Sequence, residues 1–396
     1  MIRNRRYIIC GGTISFLLVF IFLSAASAEN ERGGIILVQA EDKTVRQEVD
    51  ELKARMDELE EENTELKKRI DLLSALKISG NFDVSISNYK NKPNIFSIGN
   101  FELDIEHNYD HFQVAAAIVF HDGAVLGVGF IDYHLFGSRI SPRGRLFQAE
   151  GLHLQVGRFD VPFGNDWYEF SPVARITVTP PLTTELIMEG GYNDEGVRLL
   201  LNFMSVNLTL YMLDGIEEQY SFGGNSYGGR IGLTPFSNPY ELKSRSVPVF
   251  ELGLSGIIDL DREGETAEKL FAADIKTKTG PIILSSEYYY RDKKAGILLY
   301  GYHVTAGLDL EYFTPLPVKV YGRFEQCFSE EIVSINFQEG TDKNSLTRLT
   351  AGLNINISGI SYLKFEYLNY LDAYKEYRSD QYFSKMLYYM QLVITF

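Results

Sequence analysis

The sequence predicts an all-β fold: a 16-stranded antiparallel transmembrane β-barrel preceded by a short N-terminal α-helical coiled coil. Three observations predict it. From Leu76 onward, apolar and polar residues alternate in pieces of about 9 to 16 residues. The last piece runs to the final residue and puts Met386, Tyr388, Met390, Leu392, Ile394 and Phe396 on one face, as a strand with one side in lipid requires. Between residues 45 and 73 the period changes, with heptad spacing of apolar residues and no break.

The elements follow in chain order. Residues 1–28 read as a secretory signal peptide. Arg3, Arg5 and Arg6 form its basic region, an apolar stretch runs from about Tyr7 to Leu23, and Ala26-Ser27-Ala28 supplies a small-x-small cleavage site before Glu29. Cys10 leaves with this segment, so Cys327 stands alone in the mature chain and no intramolecular disulfide can form. Residues 29–42 form a linker. No later window reaches the roughly 18 apolar residues that a membrane helix needs, whereas a closed barrel crosses a membrane without one. A formal net charge of −15 argues against nucleic acid as a partner.

Residues 43–75 carry the coiled coil. With Val49, Met56, Asn63 and Ile70 at a, the d positions are Val45, Leu52, Leu59, Leu66 and Leu73. The flanking pairs test this register independently. Glu48–Lys53, Arg55–Glu60 and Glu62–Lys67 would meet between parallel chains, and all three are opposite in sign. Parallel, in-register self-association is expected. Leu at the internal d positions with Asn63 at a favours two chains.

Residues 76–396 carry the barrel. Strands are expected at 76–89, 94–108, 111–121, 124–136, 145–159, 194–203, 205–213, 226–235, 247–260, 268–279, 281–291, 298–313, 317–328, 346–358, 360–371 and 385–396. In the twelfth, Tyr300, Tyr302, Val304, Ala306, Leu308, Leu310 and Tyr312 share one face, with tyrosines at both ends as aromatic girdles demand. Connections at the end where the chain enters include Gly280-Pro281 and Ser358-Gly359, both short. Those at the other end include 214–225, 329–345 and 372–384, all longer. The connections near 137–144 and 236–246 break this asymmetry.

The terminal aromatic strand resembles the C-terminal β-signal of bacterial outer-membrane barrels. That likeness implies that Phe396 is part of the address read by the barrel assembly machinery. Gly157-Arg158-Phe159-Asp160-Val161-Pro162-Phe163-Gly164 resembles a motif of the phosphate-selective porin O/P family, and the signal peptide, strand number and terminal Phe agree with it. A coil ahead of a trimeric barrel also occurs in related dicarboxylate porins. The resemblance implies an outer-membrane location with the coil in the periplasm. It also implies a homo-oligomer, trimer favoured and dimer possible, and a third outer loop folded into the lumen. The segment from Glu29 to Asp42 is too short for the peptidoglycan-binding domain that precedes the coil in some such porins.

The loop at about 160–192 is the expected constriction, because a barrel of this size encloses a channel that only an inserted segment can narrow. Its Gly and Pro residues stop it from continuing as a strand. Arg158, Asp166, Glu169 and Arg175 are candidate eyelet residues, beside Trp167 and Tyr168, while Val161, Pro162 and Phe163 are expected to pack the loop on the wall. Strand phase turns Arg198, Arg230, Lys276, Lys278, Lys319, Arg323, Arg348 and Lys364 inward. The same phase turns inward Asp83, Glu102, Asp104, Glu106, Glu251, Asp274, Glu287, Asp309, Glu311, Glu325 and Glu366. Phosphate selectivity in the family rests on a dense ladder of bases, and this mixture departs from it. The expected activity is therefore passive diffusion of small hydrophilic or charged solutes, with at most modest ion selectivity. No cofactor or metal motif appears. His107, His111, His121, His134, His153 and His303 are scattered, and no nucleophile or phosphate-loop motif occurs, so an enzyme is not expected. The alternative is a structural outer-membrane anchor using the coil as a periplasmic spacer.

Overall fold

The computed structural model of this 396-residue chain describes residues 35–88, 95–120, 123–137, 150–165, 171–215, 224–235, 249–294, 296–329, 345–371 and 386–396. The chain forms two units, residues 1–72 and 73–396. A helix, α1, spans Ile35–Ala75, all but its last three residues in the first unit. Its 41 residues correspond to a rod about 60 Å long at 1.5 Å per residue. Val45, Val49, Leu52, Met56, Leu59, Asn63 and Leu66 are all exposed, which leaves a narrow apolar seam along a charged helix. The side chains of Ile70 and Leu73 lie outside the described residues.

The second unit is one closed sheet. Its strands are β1 (Leu76–Asn88), β2 (Ile95–Tyr109), β3 (Phe112–Phe120), β4 (Ala124–Gly137), β5 (Gly151–Asp160), β6 (Asn193–Phe203), β7 (Val206–Leu213) and β8 (Ser226–Leu233). There follow β9 (Val249–Leu260), β10 (Thr266–Thr279), β11 (Ile282–Lys293), β12 (Ile297–Asp309), β13 (Val318–Ser329), β14 (Ser345–Asn356), β15 (Ser361–Tyr370) and β16 (Met386–Thr395). Each pairs antiparallel with its neighbour in sequence, and β1 pairs with β16 to close the barrel. Every expected strand is present, with ends shifted by a few residues. For the fifth, β5 is described from Gly151, and positions 145–149 of the expected strand lie outside the described residues. The twelfth strand ends early because the Asp309 carboxylate accepts from the Glu311 N–H at 3.2 Å and starts a 3₁₀ turn.

The pleat sorts the side chains into two environments. On β16, Met386, Tyr388, Met390, Leu392 and Ile394 point outward and are exposed, while Leu387, Gln391 and Val393 are buried inside. The outer face is apolar around the barrel and the inner one is rich in charge. Arg198, Arg291, Arg348 and Lys364 are among the largest fully buried side chains. An interior of this kind is stable only if every charge finds a partner.

The seam between β1 and β16 runs in register from Asn81↔Thr395 to Asn88↔Tyr388. Gly80 and Phe396 exchange backbone hydrogen bonds of 3.1 and 3.2 Å, so the pairing continues through the last residue. A Cβ at Gly80 would collide with the Phe396 ring, which lies across it and 6.3 Å from the ring of Phe101. Across the same seam, Gln391 Nε2 donates to Asp83 Oδ2 at 2.9 Å.

Candidate functional site

The segment between β5 and β6 is fastened to the inner wall of the barrel, chiefly through its own backbone. At its base the Val161 N–H donates to the Tyr192 carbonyl at 3.0 Å. Arg198 on β6 sits beneath that closure. Its guanidinium donates to Gln155 Oε1 and to the Asp160 carbonyl at 2.9 Å, and it stacks 4.3 Å from the centroid of Phe159.

The Val161–Gly164 stretch then docks on β7 to β11. Val161 and Phe163 are buried, and the Phe163 ring lies 5.5 Å from that of Tyr289. Gly164 has φ of +67°, and a Cβ there would strike the Tyr289 hydroxyl, so the close approach requires glycine. Its N–H donates to Ser255 Oγ at 3.1 Å, and the next N–H, of Asn165, donates to Glu287 Oε1 at 2.8 Å. Arg230 donates to the Gly164 carbonyl at 3.1 Å and pairs with Glu251 at 2.9 Å and Asp274 at 2.8 Å.

The second arm, from Ser171 on, is held by β13 to β15. Lys364 Nζ donates to the carbonyls of Pro172, Arg175 and Thr177. The carboxylate of Glu366 accepts from the N–H groups of Val178 and Thr179, both at 2.9 Å. Arg323 reaches the carbonyls of Thr179 and Pro180 at 3.1 and 3.0 Å, and Arg348 shares the Pro180 carbonyl at 2.7 Å. Both arginines pair with Glu325, which also accepts from the Leu182 N–H at 2.8 Å and from Thr350 Oγ1 at 3.1 Å. The planar guanidinium suits this work, since one group can serve a carboxylate and two carbonyls at once.

A π-helical turn at Thr183–Ile187 returns the segment toward β10 to β12. Thr183 Oγ1 lies 3.0 Å from His303 Nδ1, and Arg348 meets Glu185 at 2.8 Å. Arg291 donates to the Ile187 carbonyl at 2.7 Å and pairs with both Glu189 and Glu268. Leu182, Ile187 and Met188 are buried against an inward apolar band that includes Leu213, Ile257, Leu270 and Leu299. Each such side chain contributes about 1.5–3 kcal/mol when fully buried. A cavity of about 30 Å³ remains behind the segment, lined by Asn165, Arg175, Lys276, Glu287, His303 and Arg323.

The residues singled out from sequence thus fall into groups. Arg198, Arg230, Arg323, Arg348 and Lys364 are buried beneath the inserted segment and hold its carbonyls. Arg175 is buried on the segment itself. Lys319 faces inward, half-buried, opposite Asp309 in register. Arg158 continues the outward phase of Leu154 and Val156, donates to Asn193 Oδ1 at 2.6 Å and lies 3.7 Å from Glu195. Asp166 and Glu169 lie outside the described residues. Sequence reasoning missed Arg291, Glu185 and Glu189, although Arg291 shares the inward phase of Glu287 and Tyr289.

No protein-family model matches the chain, and no curated protein matches it in sequence. Its fold does match solved structures. An anion-selective porin from Comamonas acidovorans superposes with a TM-score of 0.54 at 12% identity, over 81% of this chain and 98% of that one. The trimeric form of OmpT, an outer membrane protein of Vibrio cholerae, gives a TM-score of 0.53 at 10% identity, over 81% and 99%. The closed 16-stranded antiparallel barrel of this chain is thus similar in fold to these outer-membrane proteins.

Proposed function

We propose that this protein is an outer-membrane porin. In this reading it is a passive channel for small hydrophilic or charged solutes, with at most modest ion selectivity. The observation that carries the reading is the inserted segment. A closed barrel with a lipid-compatible exterior holds a loop across its lumen through buried hydrogen bonds and ion pairs. Narrowing an aqueous passage is the function such a device serves. Arg198, Arg230, Arg323, Arg348 and Lys364 act on the solute indirectly, by fixing the loop, while Asp166, Glu169 and Lys319 remain candidates for direct contact; the outward phase of Arg158 and the burial of Arg175 take those two out of the expected eyelet. The mixed charge inside supports a polar, weakly selective pore over a strict anion filter. In this reading the chain ends and short turns face the periplasm, residues 1–28 direct export, and Phe396 addresses the assembly machinery. The exposed seam of α1 joins parallel copies into an oligomer, trimer favoured.

Single-channel recording in planar bilayers tests this proposal, with the reversal potential measured in a salt gradient. Steady, ohmic steps support it; a silent, correctly folded barrel rejects it. The second reading is a plugged anchor with α1 as spacer. The apolar packing between the segment and the wall favours it, and a silent barrel is what it predicts.

A further inference from the structure

Strand register brings together three side chains that lie apart in the sequence. Asp132 and His134 share the inward face of β4, and His134 stands opposite His153 of β5. All three are buried, at 0%, 7% and 1% exposure. His153 Nδ1 lies 2.9 Å from Asp132 Oδ2, and His134 Nδ1 lies 3.7 Å from the same oxygen. One ligating atom from each lies within 4.8 Å of the other two.

We propose that Asp132, His134 and His153 form a binding site for one divalent transition-metal ion on the inner wall of the barrel. The spacing suits it. Bonds of about 2.0–2.1 Å in a tetrahedron separate neighbouring donors by about 3.4 Å, between the two distances just given. Two further observations point to a cation. The Nδ1 of His134 and the Oδ1 of Asp132 are buried with no hydrogen-bond partner. An imidazole lone pair and a carboxylate oxygen are what a metal ion would satisfy. A Cβ at Gly151 would lie 2.6 Å from Nε2 of His153, so glycine is what lets that ring take its place. Nearby, His111 Nδ1 lies 3.2 Å from the His134 carbonyl and steadies the backbone that carries one ligand.

Two imidazoles and one carboxylate select zinc, nickel or copper, because calcium and magnesium prefer all-oxygen sites. Water would complete the coordination, so the ion would exchange with solution. Its effect would be to tie β4 to β5 beside the long connection that joins them. The site depends on strand register alone, so it stands whether or not the barrel conducts.

The test uses full-length protein folded in detergent and stripped with chelator, titrated calorimetrically with zinc alone. One ion per chain is expected, and His134→Ala and His153→Ala should each weaken binding by about tenfold or more. His107→Ala, on the outward phase of β2, should leave it unchanged. The temperature at which the heat-modifiable band converts should rise with zinc in the parent and not in the two variants. If a variant fails to assemble, copper bound to the parent protein decides by electron paramagnetic resonance. Coupling to two imidazole nitrogens is expected. Absence of saturable binding, survival of binding in both variants, or copper without nitrogen coupling each overturns the site.

Discussion

Arg348 and Glu325 meet through two hydrogen bonds, 2.6 and 3.1 Å long, while the same guanidinium grips the Pro180 carbonyl at 2.7 Å. A wall-to-wall ion pair and a wall-to-loop anchor are thus one object. Removing Arg348 therefore takes away the pair and one of the loop's anchors together.

Arg348→Met is expected to cost about 3–5 kcal/mol, the usual loss when one partner of a buried pair is removed. Adding Glu325→Gln should recover part of that stability but not the grip on Pro180. Channel recordings should show larger, noisier currents in both variants. A quiet trace of parental amplitude would mean that the loop does not depend on this anchor.

Replacing residues 166–188 with a short Gly-Ser link should raise single-channel conductance and leave the strand content of circular dichroism spectra intact, since the strand ladders lie outside that segment. The change also lets water reach Arg323 and Arg348. In the shortened protein, Arg323→Ser with Arg348→Ser should move the reversal potential toward cations more than in the parent. Charges act over a Debye length of about 8 Å at 0.15 M salt only where solute passes that close. Equal shifts in both backgrounds would contradict the shielding by the loop.

Phe396→Ser should reduce the yield of heat-modifiable barrel in outer-membrane fractions. The ring covers Gly80 and leans on Phe101 at the seam, and exposing that seam leaves β1 partly unpaired. Parental yield on gels would argue against the terminal residue as an assembly determinant.

Deleting residues 43–75 should leave a folded barrel whose oligomer dissociates at lower temperature. Lys53→Glu with Lys67→Glu should act in the same direction but weakly, because an exposed pair contributes about 0.2–1 kcal/mol. Cross-linking of a cysteine placed at Leu59 should capture adjacent copies at matching positions. An unchanged dissociation temperature after the deletion would remove the helix from the oligomer contact.

The strands were legible because an apolar outer face and a polar inner one impose a period of two that turns interrupt. Arg291 was passed over because it lay at the edge of an expected strand, where phase is hardest to assign. The anchors of the loop were illegible for a different reason. Most grip main-chain carbonyls and N–H groups, which every residue carries, so no side-chain pattern marks Pro180, Leu182 or Ile187 as a partner. Histidine scatter in the sequence likewise concealed His134 and His153, which only the register of β4 against β5 makes neighbours.

The closing contact between Asp83 and Gln391 spans 308 positions of the chain. No fragment that stops short of β16 can seal its own edge, so a prematurely ended product has no stable home in a bilayer. Proofreading of length is thereby built into the topology: completion of synthesis is a precondition for a watertight wall.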